Sequence, residues 1–240
     1  MHRTLEAVQV SSKKIVRGDL KVVFVLISLF LTVLSSKPTV YATSLLIFSA
    51  LSIHAAGREY FRILRVPLFF LLPAFVVIVL VTHGNVLWKF SFITITGEGI
   101  NLAIETVLRA LASFSILSYL ILTTTIPEFF SFLKRAGLPK FIVEIAVLIY
   151  RSVQVLFDEL ERMDEAASSR LGYSSRRSFI RTASLLSYSL FLKTLNRAEK
   201  LEMSMQARCY SGKMPVKSEN STGWGIALLI LIAIAGGWLL

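Results

Sequence analysis

Residues 66–88 read VPLFFLLPAFVVIVLVTHGNVLW, a run of 23 residues without a formal charge. An α-helix rises about 1.5 Å per residue, so roughly 20 apolar residues span the ~30 Å hydrocarbon core of a bilayer. Three further uncharged runs have membrane length: residues 38–57, 110–127 and 221–240. A fifth run, residues 22–36, is shorter, but Lys21 and Lys37 at its ends can extend their ammonium groups towards the interface. The sequence therefore predicts an all-α polytopic membrane protein with about five transmembrane helices, and it excludes a soluble enzyme.

The charge of the chain agrees with a membrane protein. Hydrophobic residues make up 55% of the sequence and charged residues 17%, yet the formal net charge is +11. A basic protein can bind nucleic acid, but no basic stretch here forms a soluble module that bears aromatic residues, so we expect no nucleic-acid partner. The first four polar segments hold five, one, three and one basic residues in turn. By the positive-inside rule this alternation predicts a multi-pass protein of the cell membrane with a cytoplasmic N-terminus.

Four segments follow from these patterns. We expect a cytoplasmic N-terminal segment at residues 1–21, a four-helix transmembrane region at 22–126, a cytoplasmic or interfacial helical region at 127–220 and a C-terminal transmembrane helix at 221–240. The third segment holds 15 of the 26 basic residues. Its apolar residues recur every three or four positions, which predicts two long amphipathic helices. Their apolar stripes contain Ile149, Val153, Leu156 and Leu160 on the first helix and Leu190, Leu201 and Met205 on the second.

Two charged residues fall within the fourth hydrophobic helix. Glu105 and Arg109 stand four positions apart with the acid first, the favourable order for an ion pair within a helix. An ionisable residue at membrane depth is a candidate functional residue. We predict a Glu105–Arg109 charge pair near the outer leaflet, and a role in packing is the simpler interpretation.

The two long helices end alike. The first ends at Ser169-Arg170-Leu171 and the second at Ala207-Arg208-Cys209, each with an arginine between small or apolar residues. An arginine near a helix C-terminus also suits the helix dipole. Two arginines at equivalent helix ends nevertheless favour a function, because a guanidinium is a rigid donor that can bind carboxylates or helix ends of a partner.

Catalytic and metal-binding patterns are missing from the sequence. The three histidines, His2, His54 and His83, are scattered, and one cysteine, Cys209, cannot build a thiolate metal site. Gly212-Lys213 lacks the remaining residues of a phosphate-binding loop. The acids around Asp158 and Glu165 are interleaved with Arg162, as is typical of a solvated helix face. We therefore expect a protein that is not an enzyme and that binds no metal and no cofactor.

From Arg109 to Pro215 the chain resembles the transmembrane T components of energy-coupling factor (ECF) transporters, the EcfT and CbiQ proteins. In that family each long coupling helix ends in a small-Arg-small motif, and Arg170 and Arg208 stand at those places. The stretch Thr123-Thr124-Thr125-Ile126-Pro127-Glu128, followed by Gly137-Leu138-Pro139, also matches. Residues 211–215, Ser-Gly-Lys-Met-Pro, are similar to the cobalt-type CbiQ branch.

The resemblance implies a non-catalytic component of an ATP-driven importer. Two ABC ATPase subunits, which bind the ATP, would dock on the two motifs, residues 169–171 and 207–209. A separate substrate-binding membrane subunit would rest on the apolar stripes. The cargo would be a vitamin or a transition metal, with cobalt or nickel weakly favoured. Leu171 and Cys209 depart from the family, which usually has a small residue after each arginine.

Three alternatives remain open at this point. The first is the permease of an ordinary ABC importer, which forms the translocation pathway itself. Glu165-Ala166-Ala167 is similar to the EAA loop of such permeases, but Gly172 lies one residue too far along and the second arginine end has no place there. A membrane-embedded enzyme and a substrate-binding membrane subunit are the others. The former lacks a convergent acid–base set, and the latter would need more polar groups within its helices.

Overall fold

The computed structural model describes residues 9, 16, 18–82, 86–90, 93–210 and 222–237. Over these residues the chain is helical apart from one short antiparallel hairpin. The elements in order are α1 (Asp19–Leu34), α2 (Pro38–Ala56), α3 (Arg58–Val81), β1 (Val86–Phe90), β2 (Ile93–Thr96), α4 (Gly97–Thr123), α5 (Ile126–Arg135), α6 (Lys140–Ser169), α7 (Arg176–Ala207) and α8 (Trp224–Gly236). The all-α class is confirmed, while most of the predicted segment 1–21 and all of residues 211–215 lie outside the described residues.

Local sequence explains where several helices begin and end. Pro38 occupies the first position of α2, where its missing N–H costs nothing. Gly57, with φ of 55°, separates α2 from α3. The Thr96 side chain accepts a hydrogen bond from the Gly99 amide at 3.2 Å and so caps the start of α4.

Three helices are long and apolar enough to cross a bilayer. They are α2, residues Glu59–Val81 of α3, and α4, with mean hydropathies of 1.5, 2.6 and 1.6. Within the described residues α1 has 16 residues and α8 has 13. These correspond to about 24 and 20 Å, which is less than the hydrocarbon core. The chain is a multi-pass membrane protein, and crossing by α1 and α8 stays a prediction.

The chain forms two compact units. The membrane unit contains residues Met1–Phe132 and Lys217–Leu240. In it α4 packs against α1, α2 and α3, and α8 packs against α1 and α2. Three aromatic rings join α1, α2 and α4, with centroids 5.6 Å apart for Phe24–Phe48 and 5.9 Å apart for Phe48–Tyr119.

The second compact unit, Leu133–Val216, contains α6 and α7. These helices are 30 and 32 residues long, so they measure about 45 and 48 Å. Val143 is buried in α6, and no residue of α7 is buried. An ion pair between Lys193 and Glu159 joins α7 to α6. This unit therefore consists of two long helices that expose most of their surface.

Candidate functional site

The α6 end is closed by a left-handed turn directly after Arg170. The Gly172 amide donates to the Ala167 carbonyl at 2.9 Å, and the Leu171 amide donates to the Ser168 carbonyl at 3.0 Å. These two bonds define a Schellman cap, in which Arg170 is the C-cap residue that follows the helix and Leu171 adopts φ of 56°. The guanidinium thus sits at the point where the chain reverses.

The α7 end repeats this geometry. The Tyr210 amide donates to the Met205 carbonyl at 3.0 Å, and the Cys209 amide donates to the Gln206 carbonyl at 3.0 Å. Arg208 has φ of −95° and ψ of 15°, against −95° and 16° for Arg170. The structure therefore gives the two arginines equivalent backbone positions, which the sequence predicted only from their neighbours. We call residues 169–171 the first tip and residues 207–209 the second tip.

The residue after each arginine must adopt a conformation that glycine accepts most easily. Leu171 and Cys209 both have positive φ, 56° and 50°. A side chain in the left-handed region is strained because its Cβ approaches the backbone. The same conformation directs both side chains outward, and Leu171 is 75% exposed. Each tip thus presents an arginine beside a different exposed neighbour, a leucine or a cysteine.

The chain after the first tip is held in place by hydrogen bonds to one carbonyl. The Ser178 and Thr182 hydroxyls both donate to the Gly172 carbonyl, each at 2.8 Å. A Cβ at Gly172 would lie 2.9 Å from the Ala167 carbonyl oxygen, so this position also needs a glycine. A groove of about 350 Å³ lies beside Arg170, lined among others by Met163 and Leu186.

Two tyrosines near the tips have hydroxyl groups whose pKa is raised above its ordinary value. Tyr173 donates to the Asp164 carboxylate, and this hydrogen bond raises the pKa of Tyr173. Loss of solvation raises the pKa of Tyr210, and the nearby Glu144 carboxylate adds to the effect. Both shifts favour the neutral hydroxyl group of the tyrosine.

The predicted apolar stripe is only partly exposed. Ile149, Val153 and Leu201 are exposed, whereas Leu156, Leu160, Leu190 and Met205 are half-buried. On α7 the most exposed apolar side chains include Ile180, Tyr188 and Phe191, which lie about 120° around the helix from Leu190. On α7 the stripe residues predicted from periodicity and the most exposed apolar residues thus lie on different faces of the helix. Contact of the stripe with a substrate-binding subunit stays a prediction.

The Glu105–Arg109 ion pair is not formed in the described part of the chain. Arg109 instead donates to the backbone carbonyl of Val33. Val33 is in the last turn of α1, where carbonyls lack partners within the helix and carry partial negative charge. Arg109 therefore caps α1 from α4, which is a packing role between helices and not within one.

Sequence reasoning missed a buried ion pair where α4 meets α5. The Lys21 ammonium group donates to the Thr123 carbonyl at 2.6 Å and to Glu128 Oε2 at 3.1 Å. Lys21 is fully buried. Glu128 Oε2 also accepts from the Thr125 amide at 3.4 Å, as in a capping box. The Thr-x-x-Glu pattern of residues 125–128 is typical of such a cap. No neighbouring residue in the sequence indicates that Lys21 binds Glu128 from 107 positions away.

No group of three or more His, Cys, Asp or Glu residues that could hold a metal ion occurs within the described ranges. The two tips are the sequence motifs whose backbone geometries match each other.

A family model described as the cobalt transport protein CbiQ matches residues 9–219. The chain belongs to this family. It is 31% identical over 84% of its length to a putative fused cobalt transport protein CbiMQ of Methanocorpusculum labreanum. It is 32% identical over 97% of its length to an uncharacterized protein of Methanocaldococcus jannaschii. It is also 32% identical, over 62% of its length, to an energy-coupling factor transporter transmembrane protein EcfT of Ruminiclostridium cellulolyticum.

These relatives differ in how much of their length the CbiQ-family chain covers. It spans 35% of the fused protein, 90% of the M. jannaschii protein and 60% of the EcfT protein. The family match confirms the resemblance to T components that the arginine motifs indicated.

Proposed function

We propose that this CbiQ-family protein is the energy-coupling membrane component of an ECF-type importer. It links two cytoplasmic ATPase subunits to a separate substrate-binding membrane subunit in the cell membrane. The cargo is a vitamin or a transition metal, with cobalt or nickel weakly favoured, and the description of the family names cobalt transport. The chain is a non-catalytic subunit with a cytoplasmic N-terminus, and ATP is bound by the partner ATPases, not by this chain.

The observation that carries the proposal is the matched geometry of the two tips. Two arginines with nearly identical backbone angles end two helices of about equal length. Two equivalent sites on one chain suit two related partners, and a guanidinium held at a capped helix end is already ordered for binding. When ATP closes the two ATPases, the distance between the tips changes, and α6 and α7 transmit that movement to the substrate-binding subunit.

Two further observations support this assignment. The α6 face around Ile145, Ile149 and Phe157 is apolar and exposed, and such a surface calls for a partner. One relative is a fused cobalt transport protein of which the chain covers about a third, so a protein like this one works there joined to further sequence. The ordinary permease alternative explains neither the second tip nor the family.

The test is replacement of the arginines at the tips. Arg170→Ala and Arg208→Ala should each weaken co-purification with the ATPases, and the double variant should lose ATP-driven uptake. Arg151→Ala, an exposed arginine on α6 away from the tips, is the matched control and should keep both. Uptake by the double variant at the wild-type rate would contradict the proposal.

A further inference from the structure

The last turn of α4 is capped by two side chains from the beginning of the chain. Gln9 Nε2 donates to the Ile121 carbonyl at 2.8 Å, and the Lys21 ammonium group donates to the Thr123 carbonyl at 2.6 Å. The last four carbonyls of a helix have no N–H partner within it and carry partial negative charge, so these donors suit the helix end. Lys21 lies in the first turn of α1, and its bond therefore joins α1 to α4.

Lys21 also reaches across the connection between α4 and α5. Only Thr124 and Thr125 separate these two helices, and Thr124 is extended, with φ of −106° and ψ of 123°. The same Lys21 Nζ that binds Thr123, the last residue of α4, lies 3.1 Å from Oε2 of Glu128 in the first turn of α5. One atom of α1 thus binds both sides of a two-residue connection, and it restricts the direction in which α5 leaves α4.

The two charges of this contact depend on each other. Lys21 is fully buried, and the Glu128 side chain is 14% exposed. A buried ammonium group without a counter-charge is strongly disfavoured, because it has lost its hydration and gained nothing in return. Moving the start of α5 away from α1 would separate the two charges. The contact therefore opposes such a movement.

The helix that begins at this contact connects the two compact units. Residues 126–132 of α5 belong to the membrane unit, and residues 133–135 belong to the α6–α7 unit. Rigid secondary-structure elements are among the structures that carry energetic coupling between distant sites. Glu128 lies in the part of α5 that belongs to the membrane unit, so the ion pair attaches the connecting helix to α1 and α4.

We propose that Lys21 is a positioning residue for energy coupling, which acts by tying α5 to α1 and α4 through Glu128. This inference rests on the proposed function, in which ATP-driven movement of the α6–α7 unit drives transport. The ion pair passes that movement through α5 to the membrane unit. Without the pair the ATPases still dock on the tips and hydrolyse ATP, but less of the movement reaches α1 and α4.

The main test removes both charges at once. Lys21→Met or Glu128→Gln alone leaves one buried charge without its counter-charge, so the variant that carries both substitutions should be more stable than either single variant. In the transporter assembled with its ATPases, this double variant should co-purify with them and hydrolyse ATP at the wild-type rate. Uptake per ATP hydrolysed should fall roughly tenfold. The probe is Co²⁺, since the description of the family names cobalt transport.

An exposed ion pair of α3 provides the matched control. Arg62 Nη1 lies 2.8 Å from Glu59 Oε2, and both residues belong to the same helix. Glu59→Gln with Arg62→Met removes the same two charges and should leave uptake per ATP unchanged. The ratio counts only assembled transporters that hydrolyse ATP, so a lower yield of folded protein does not alter it.

Two results would overturn the proposal. One is a wild-type ratio of uptake to ATP hydrolysis in the Lys21–Glu128 double variant. The other is loss of ATPase co-purification by that variant, because the ion pair would then act on docking and not on the step that follows it. The arginine variants of the tips test docking itself, so this inference and the proposed function can fail separately.

A distance measurement tests the attachment of α5 in the purified chain. In a Cys209→Ser background, spin labels are placed at Val23→Cys on α1 and Phe129→Cys on α5, two exposed positions. Electron spin resonance in detergent should give one narrow distance distribution, which removal of both buried charges should broaden and the α3 control should leave narrow. A distribution that stays narrow without the buried pair would contradict the attachment. This measurement needs neither ATPases nor cargo.

Discussion

The membrane unit and the α6–α7 unit differ in the composition of their exposed apolar surfaces. In the membrane unit, α3 exposes large side chains such as Phe69 and Phe70, but its 18-residue window has a mean hydropathy of 2.6, as lipid contact requires. In α7 equally exposed apolar residues alternate with charges, which lipid tails would exclude. The first surface suits a bilayer, and the second suits other protein chains.

Buried polar groups show the same contrast. In the membrane unit, Lys21 and the Tyr60–Ser115 hydroxyl pair, 3.0 Å apart, are buried and hydrogen-bonded within the chain. In the α6–α7 unit, the Lys193–Glu159 pair stays exposed. At these two places the membrane unit pairs its buried polar groups within the chain, whereas the ion pair of the α6–α7 unit is accessible to solvent. Substitutions at three places test this comparison: the buried ion pair, the tips and the exposed ion pair.

The largest effect is expected at the buried ion pair. Lys21→Met removes the ammonium group that donates to the Thr123 carbonyl and to Glu128, whose carboxylate is 14% exposed. Breaking a buried pair in this way should lower the free energy of unfolding by about 3–5 kcal/mol. Unfolding in mixed detergent micelles, followed by circular dichroism, measures the change.

The matched control is Lys193→Met, which breaks an exposed ion pair and should leave stability nearly unchanged. Lys21→Arg, which keeps the charge, should lose less than Lys21→Met. Equal losses at positions 21 and 193 would remove the distinction between the two units.

A smaller effect, of opposite sign, is expected at the tips. Leu171→Gly or Cys209→Gly relieves a strained left-handed residue and should raise the free energy of unfolding by about 0.5–1 kcal/mol each. Thermal unfolding measures this gain. Ser169→Gly, inside the last turn of α6, should lower stability instead. A loss with Leu171→Gly would mean that the leucine makes stabilising contacts that outweigh its strain.

The smallest effect concerns the exposed pair itself. The hydrogen bond from Lys193 holds the pKa of Glu159 below its usual range. A carboxylate with a lowered pKa contributes stability above its unfolded pKa and loses it as pH falls through the folded value. Lys193→Ala should therefore raise the Glu159 pKa towards its ordinary value, as followed by NMR of labelled glutamate. Lys200→Ala is the control, and an unchanged pKa with Lys193→Ala would contradict the contact.

The sequence predicted what depends on local pattern and missed what depends on distant partners. The apolar runs located α2, α3 and α4, and the three- and four-residue spacing located α6 and α7. Spacing rules describe only neighbours within one helix, and they therefore predicted that Arg109 pairs with Glu105. In the structure Arg109 donates to the Val33 carbonyl, 76 residues away. The two residues of the Lys21–Glu128 pair are 107 positions apart, so the sequence pattern did not predict this pair either.

Two other features have a signal in the sequence. Residues 93–96, Ile-Thr-Ile-Thr, are β-branched throughout and form β2 of the hairpin. On α7, periodicity alone could not choose a face, since apolar residues occur around most of the helix. The signs of Arg177, Arg181, Glu199 and Glu202 would have distinguished the exposed side from the side that faces α6.

The Glu128 carboxylate has a mechanical consequence. It holds both the Lys21 ammonium group and the Thr125 amide, so rotating the first turn of α5 would break both contacts at once. Twelve residues after Thr125, Gly137 has φ of 96°, and a Cβ there would meet nothing within 4 Å. The start of α5 is therefore held through one carboxylate that also binds α1, whereas the turn after α5 has open space beside Gly137.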